Sequence, residues 1–137
     1  MSRYYKYLIY IAFSIPFVLL FLSKGYGADI AIIKTKNLAL YNDAITGFKT
    51  NCNHKITEFD MEDKELRGRQ ITKKIKDELK PDLVIAIGIK AAVIAKEDIK
   101  DIPIVFAMVL NPESYELNSG SNLTGISLEI PVKIQLY

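Results

Sequence analysis

Gly88-Ile89-Lys90-Ala91 is the segment of this sequence with the clearest potential for chemistry. Gly88 follows the apolar run Leu83-Val84-Ile85-Ala86-Ile87 and precedes an Ala-rich stretch, which marks a tight turn from strand into helix. The turn leaves the amides of Ile89, Lys90 and Ala91 free at a helix N-terminus, where a carboxylate or a phosphate can bind. Taken alone, Gly88 is more simply read as a plain strand-to-helix turn. Cys52 and His54 stand two apart. In a strand that spacing puts both on one face, but no third group orients the imidazole, so a half-buried cysteine and a surface histidine are expected. Asp60, Glu62, Asp63 and Glu65 cluster near a helix start, where carboxylates complement the helix dipole. The spaced oxygen ligands and turn glycine of a calcium loop are missing there, so a solvated cap is expected. Lys73, Lys74 and Lys76, followed by Asp77 and Glu78, read as a solvated helix face.

Several chemistries lack their residues. There is no G-x-G-x-x-G, no phosphate-binding Walker loop and no G-x-S-x-G elbow, so dinucleotide, nucleoside-triphosphate and hydrolase readings have no support. One Cys cannot form an internal disulfide, and with one His it cannot complete a four-ligand zinc site. Neither a metal nor a cofactor is expected, nor is an enzyme.

The elements that must position Gly88 alternate between two periods. Asp29 to Lys34 is almost wholly apolar, as in a strand buried on both faces of a parallel sheet. Leu38, Tyr41, Ile45 and Phe48 recur at helical spacing, predicting a helix that ends near Asn51. A second strand is expected over residues 54–60. Leu66, Ile71, Ile75 and Leu79 mark a second helix, stopped by Pro81. The strand before Gly88 comes third, a short helix over residues 90–97 follows, and Ile104-Val105-Phe106-Ala107 is the fourth strand. Leu123 to Leu128 is a candidate fifth strand, and Pro131 opens what reads as another helix, within which the sequence stops. The βαβαβαβ order predicts an α/β fold: a Rossmann-like parallel sheet, strand order 2-1-3-4, with helices on both faces. In such a sheet, ligands collect beyond the carboxyl ends of the strands. Those ends are Lys34-Thr35-Lys36-Asn37, Gly88-Ile89-Lys90-Ala91 and Met108-Val109-Leu110-Asn111-Pro112.

Of the 137 residues, 50% are hydrophobic and 25% charged, which suits one domain and excludes disorder, a fibre or a polytopic membrane protein. The net charge of +2 belongs to the first residues, where Arg3, Lys6 and Lys24 have no acidic counterpart. From Asp29 onward 15 basic residues face 16 acidic ones, so charge gives no argument for nucleic acid or an anionic membrane. Ser2-Arg3-Tyr4-Tyr5-Lys6 and the apolar run from Leu8 to Leu22, broken only by Ser14 and Pro16, form the head and core of a secretory signal. The run is shorter than the roughly 20 residues of a transmembrane helix. Gly25 and Gly27 fit the −3 and −1 positions, so residues 1–27 are expected to be a signal peptide cleaved after Gly27, with Ala28 the second choice. A retained N-terminal anchor is the alternative. Either way the remainder, residues 28–137, is expected outside the cytoplasm, in a bacterial periplasm or an equivalent exported location.

Two stretches carry a specific resemblance. Ile102-Pro103-Ile104-Val105-Phe106-Ala107-Met108-Val109-Leu110-Asn111-Pro112, and then Gly120-Ser121-Asn122-Leu123-Thr124-Gly125-Ile126-Ser127, resemble the substrate-binding proteins of ABC transporters that include the tryptophan- and phenylalanine-type receptors. That family shows an I-P-V-V-F strand, a D-P or N-P step and a G-x-N-x-T-G-[VI]-S segment. Pro81 to Gly88, with Ala91-Ala92 beyond, is similar to its third strand and following helix. The resemblance implies one lobe of a periplasmic-binding fold that closes on an amino acid or similar small solute and delivers it to a permease and ATPase. Contacts implied by it come from Thr35, Lys36 and Asn37, from Ile89, Lys90 and Ala91, and from Leu110 and Asn111. Ile89 and Leu110 depart from the family, where hydroxyl residues are common, and imply a more apolar contact surface. Family proteins run to about twice this length, so residues 28–137 are expected to be the N-terminal lobe of a longer protein. The alternative is an exported single-lobe sensor or protein-interaction module.

Overall fold

The structure, a computed structural model, describes residues 27–128. The apolar leader and the helix expected from Pro131 lie outside the described residues. Five strands form one sheet: β1 (Asp29–Lys34), β2 (Lys55–Asp60), β3 (Leu83–Ile87), β4 (Ile104–Val109) and β5 (Leu123–Ser127). Every pairing is parallel and the order is β2-β1-β3-β4-β5. The expected order 2-1-3-4 is therefore present, and the candidate fifth strand extends it beyond β4. Helices α1 (Ala39–Thr50), α2 (Glu65–Lys74) and α3 (Ile89–Asp98) make the crossovers, and the chain after α2 continues as a π-helical turn, Ile75–Leu79. Lys80 ends that turn in the left-handed region at φ 46°. The stop therefore comes just before Pro81, whose ring cannot continue a helix.

Alternation along the two central strands sorts the core onto two faces. Ile30 and Ile32 of β1 with Ile85 and Ile87 of β3 pack under Ile45 of α1, joined by Tyr41 and Phe48 from the same stripe. Ala31, Ile33, Val84 and Ala86 face the other way, toward Ile71 and Ile75 and toward Ala91, Ala92, Ile94 and Ala95 of α3. The small residues of α3 let it lie close to the sheet. Ile104 and Phe106 of β4 and Leu123 of β5 continue that second face. Gly125 pairs with Phe106, and a Cβ there would collide with the Phe106 ring and carbonyl. That close approach explains the glycine in the Thr124-Gly125-Ile126-Ser127 segment.

Cys52 and His54 do not lie in a strand. β2 begins at Lys55, opposite Asp29, and the two residues belong to the turn after α1. Asn51 bonds back to the Gly47 carbonyl and ends the helix there, which leaves residues 52–54 to make the turn. His54 is exposed, and its Nδ1 accepts the Ala28 amide at 3.0 Å. The acidic run also differs from a simple cap: Glu62 pairs with Lys64 and Arg67, and Asp63 reaches across to Lys90.

Candidate functional site

The carboxyl edge of the sheet is where β1, β3 and β4 release their chains side by side. Backbone bonds carry the ladder past the strand ends: Thr35 N donates to Ile87 O at 3.0 Å, and Gly88 N to Ala107 O at 2.9 Å. The loops holding Thr35, Lys36 and Asn37, Gly88 to Ala91, and Leu110 and Asn111 thus leave from one edge.

Thr35 is buried, and its hydroxyl makes two hydrogen bonds. Its Oγ1 donates to Ile87 O at 3.1 Å and accepts the Ala91 amide at 3.1 Å. One hydroxyl thereby joins β1, β3 and the first turn of α3. Of the amides expected to stand free at that helix start, Ala91's is taken by Thr35. Those of Ile89 and Lys90 remain without an intrahelical acceptor, as the first turn of any helix requires.

Gly88 sits at φ 85°, a region that side-chain-bearing residues rarely adopt. A Cβ at this position would lie 2.6 Å from the Tyr41 hydroxyl oxygen and 2.8 Å from Thr35 Oγ1. The glycine is needed both for backbone conformation and for closeness. Tyr41 therefore brings a hydroxyl to this corner, which the apolar-stripe reading of α1 missed. The available signal was its place in the first turn of a helix that starts beyond a strand's carboxyl end.

Lys36 and Asn37 are exposed. Asn37 Oδ1 accepts from Asn42 Nδ2 at 2.6 Å, and Asn42 Oδ1 accepts from Lys34 Nζ at 3.1 Å. Lys34, named in the sequence only as part of a strand end and not among the contacts, also belongs to this corner. It closes β1 beside Glu58 and Asp60 of β2, at 2.9 and 3.8 Å. Hydrogen bonds from Lys49 and then Lys34 hold the Glu58 carboxyl below its ordinary range, against the opposing effect of burial.

Lys90 turns toward the loop after β2, where its Nζ lies 2.7 Å from Asp63 Oδ1. The Lys90 hydrogen bond is the main reason that the Asp63 carboxyl titrates below its ordinary range, with Lys36 a smaller contributor. A groove of about 390 Å³ opens between α2 and α3 and is lined in part by Ile89, Lys90, Val93 and Tyr115. Its charged rim is internally paired, Asp63 with Lys90 and Arg69 with Glu65 and Glu97.

At the end of β4 and in the loop after it the character changes. Met108 at φ 59° and Asn111 at φ 48° are left-handed, and Leu110 between them is 63% exposed. No hydrogen bond of the Asn111 side chain caps the 3-10 turn Pro112–Tyr115. The arrangement as a whole offers amide and ammonium donors on the β1 and β3 side and an apolar surface on the β4 side. Such a set can hold a small solute with an acidic group and an apolar body. Among the described residues no group of three or more His, Cys, Asp and Glu side chains gathers as metal ligands.

A carboxyl-edge site on a parallel 2-1-3-4-5 sheet is the arrangement by which open α/β folds bind ligands. The sequence model of the ABC transporter substrate binding protein family matches residues 43–136, and the chain belongs to that family. Three solved structures share the fold. One is the ligand-free, open form of a substrate binding protein with adhesive properties from Clostridium difficile, at TM-score 0.68 and 24% identity over 77% of this chain and 40% of that one. Another is an ABC domain in complex with L-Trp from Streptococcus pneumoniae, at TM-score 0.64 and 22% identity over 74% and 38%. The third is a conserved domain protein from Vibrio cholerae, at TM-score 0.65 and 24% identity over 79% and 41%. The matched part thus spans about two fifths of each of these chains. No curated protein matches the sequence.

Proposed function

We propose that this chain is the first lobe of an exported solute-binding protein that holds an amino acid or similar small molecule at the carboxyl edge of its sheet. The solute would lie against a second lobe and be passed to an ABC permease driven by its ATPase. Residues 1–27 would direct export as a signal peptide, and no catalytic step is assigned. The observation that carries this reading is the convergence of the strand-end loops of β1, β3 and β4, with α3 springing directly from Gly88. Family membership supports solute binding and an exported location, and the L-Trp bound by the pneumococcal neighbour supports an amino-acid-like ligand.

Lys36, Asn37, Ile89, Lys90, Leu110 and Asn111 are the proposed contacts, with Gly88 and Ala91 shaping the helix start. Thr35 belongs to the same contact set and also holds the corner together, its donor being spent on Ile87 O while one oxygen lone pair remains for a solute donor. Closure of two lobes would bury the ligand on both sides, which one lobe alone cannot do. The test is a thermal-shift panel of L-amino acids and related small acids on the protein bearing both lobes. A concentration-dependent rise in Tm with a subset of them is expected. No rise with any of them, together with capture of a protein partner, would favour an interaction module instead.

A further inference from the structure

Lys34 is an unusual residue to find at the end of an otherwise apolar strand, with its side chain only 11% exposed. An ammonium has donors and no acceptor, so any side-chain amide beside it must turn its oxygen inward. Asn42 does so, with Oδ1 3.1 Å from Lys34 Nζ. Its nitrogen is thereby aimed at Asn37, whose Oδ1 accepts at 2.6 Å. Asn37 is left with its NH2 group, which has no partner among the described residues, as the exposed end of the chain. Glu58 and Asp60 on one side of Lys34, with Lys49 bonded to Glu58 at 2.6 Å, keep the ammonium in place.

We propose that Lys34 is a positioning residue that, through Asn42, fixes Asn37 as an outward hydrogen-bond donor and so selects solutes presenting an acceptor group, a carboxylate above all, at this corner. An exposed asparagine without such a chain presents its oxygen and its nitrogen alike and discriminates little. Here the polarity is set by a charge one residue away from the surface and passed on through two amides. The inference rests on the carboxyl edge being the solute site.

Asn42→Asp tests it most sharply. The aspartate keeps a partner for Lys34, but a carboxylate only accepts, so Asn37 must turn its NH2 inward and its oxygen outward. Lys34→Arg keeps a donor-only group, whereas Lys34→Gln leaves the polarity unset. Side-chain amide NMR gives the orientation without any ligand: the Asn42 NH2 pair is protected from exchange in the wild type, and the Asn37 pair becomes the protected one in Asn42→Asp. NMR titration with the L-amino acids and their amino alcohols gives the consequence. The wild type and Lys34→Arg are expected to prefer an acid to its alcohol by roughly tenfold or more. Lys34→Gln should reduce that preference and Asn42→Asp abolish it, in high salt as well, where the added charge is screened. A wild-type spectrum with the Asn37 pair protected, or an acid preference retained by Asn42→Asp, would overturn the relay and leave the solute site standing. If no amino acid perturbs the carboxyl edge of the wild type, both fall together.

Discussion

The strand-end loops of β1 and β4 leave the same edge of the sheet but are built on opposite lines. The β1 corner is held by side chains: the Thr35 hydroxyl bridges Ile87 and Ala91, and Lys34, Asn42 and Asn37 form a polar chain beside it. The β4 corner is held by backbone, with Met108 and Asn111 in left-handed conformations and Leu110 exposed between them. A corner fixed by directional hydrogen bonds can recognise a polar group of defined geometry. One that offers an exposed aliphatic surface tolerates variation in shape, because apolar contact is not directional. On the proposed function, the contrast would put recognition of a solute's polar end on the β1 and β3 side and of its body on the β4 side.

The largest expected effect is at Gly88, where the β1 and β3 corners meet. Gly88→Ala forces a Cβ toward the Tyr41 and Thr35 oxygens at a positive φ and should cost about 3 kcal/mol of stability, read by urea unfolding. Thr35→Val comes next. It keeps the shape but leaves the buried Ala91 amide unpaired, while Ile87 O retains the Thr35 amide. A loss of about 2 kcal/mol is expected, and a change within error would show that the hydroxyl does not hold the corner together.

How far the sequence foretold these corners differs in the same way. Strand positions and order followed from the apolar runs Ile30-Ala31-Ile32-Ile33 and Leu83 to Ile87, because a doubly covered parallel strand is apolar throughout. The helix stripe was equally legible at Tyr41, Ile45 and Phe48, whereas Leu38, read as its first member, precedes the helix and is exposed. His54 was placed one residue inside the strand because hydropathy does not fix where a turn ends. The Lys34–Asn42–Asn37 chain was invisible, since it joins a strand end to a helix face and depends on which rotamers meet in space. The bond from Thr35 to Ala91 spans 56 residues, so no local pattern encodes it.

A smaller effect sharpens the β1 side through pH. Glu58 titrates below its ordinary value of 4.5 because Lys49 and Lys34 bond its carboxylate. A lowered folded-state value means that its contribution is complete above about 4.5 and is lost as pH falls through the lower folded-state value. Glu58→Gln should therefore lower stability at neutral pH and flatten part of the acid limb of the stability curve; an unchanged limb would mean that Glu58 is not coupled to folding. Leu110→Ala should have the smallest effect on folding, within about 0.5 kcal/mol by thermal unfolding, because the side chain is already exposed. Its effect should appear instead as weaker binding of apolar amino acids, whereas a loss of stability without a loss of binding would make Leu110 a packing residue.

Assignment of the backbone amides, followed by titration with the amino acid that raises Tm most, tests the central claim most directly. Shifts concentrated at Lys36, Asn37, Ile89, Lys90, Leu110 and Asn111 are predicted, with the amino-terminal edge of the sheet unmoved. Shifts confined to the groove between α2 and α3, or to the opposite edge near Asp82 and Pro103, would contradict it.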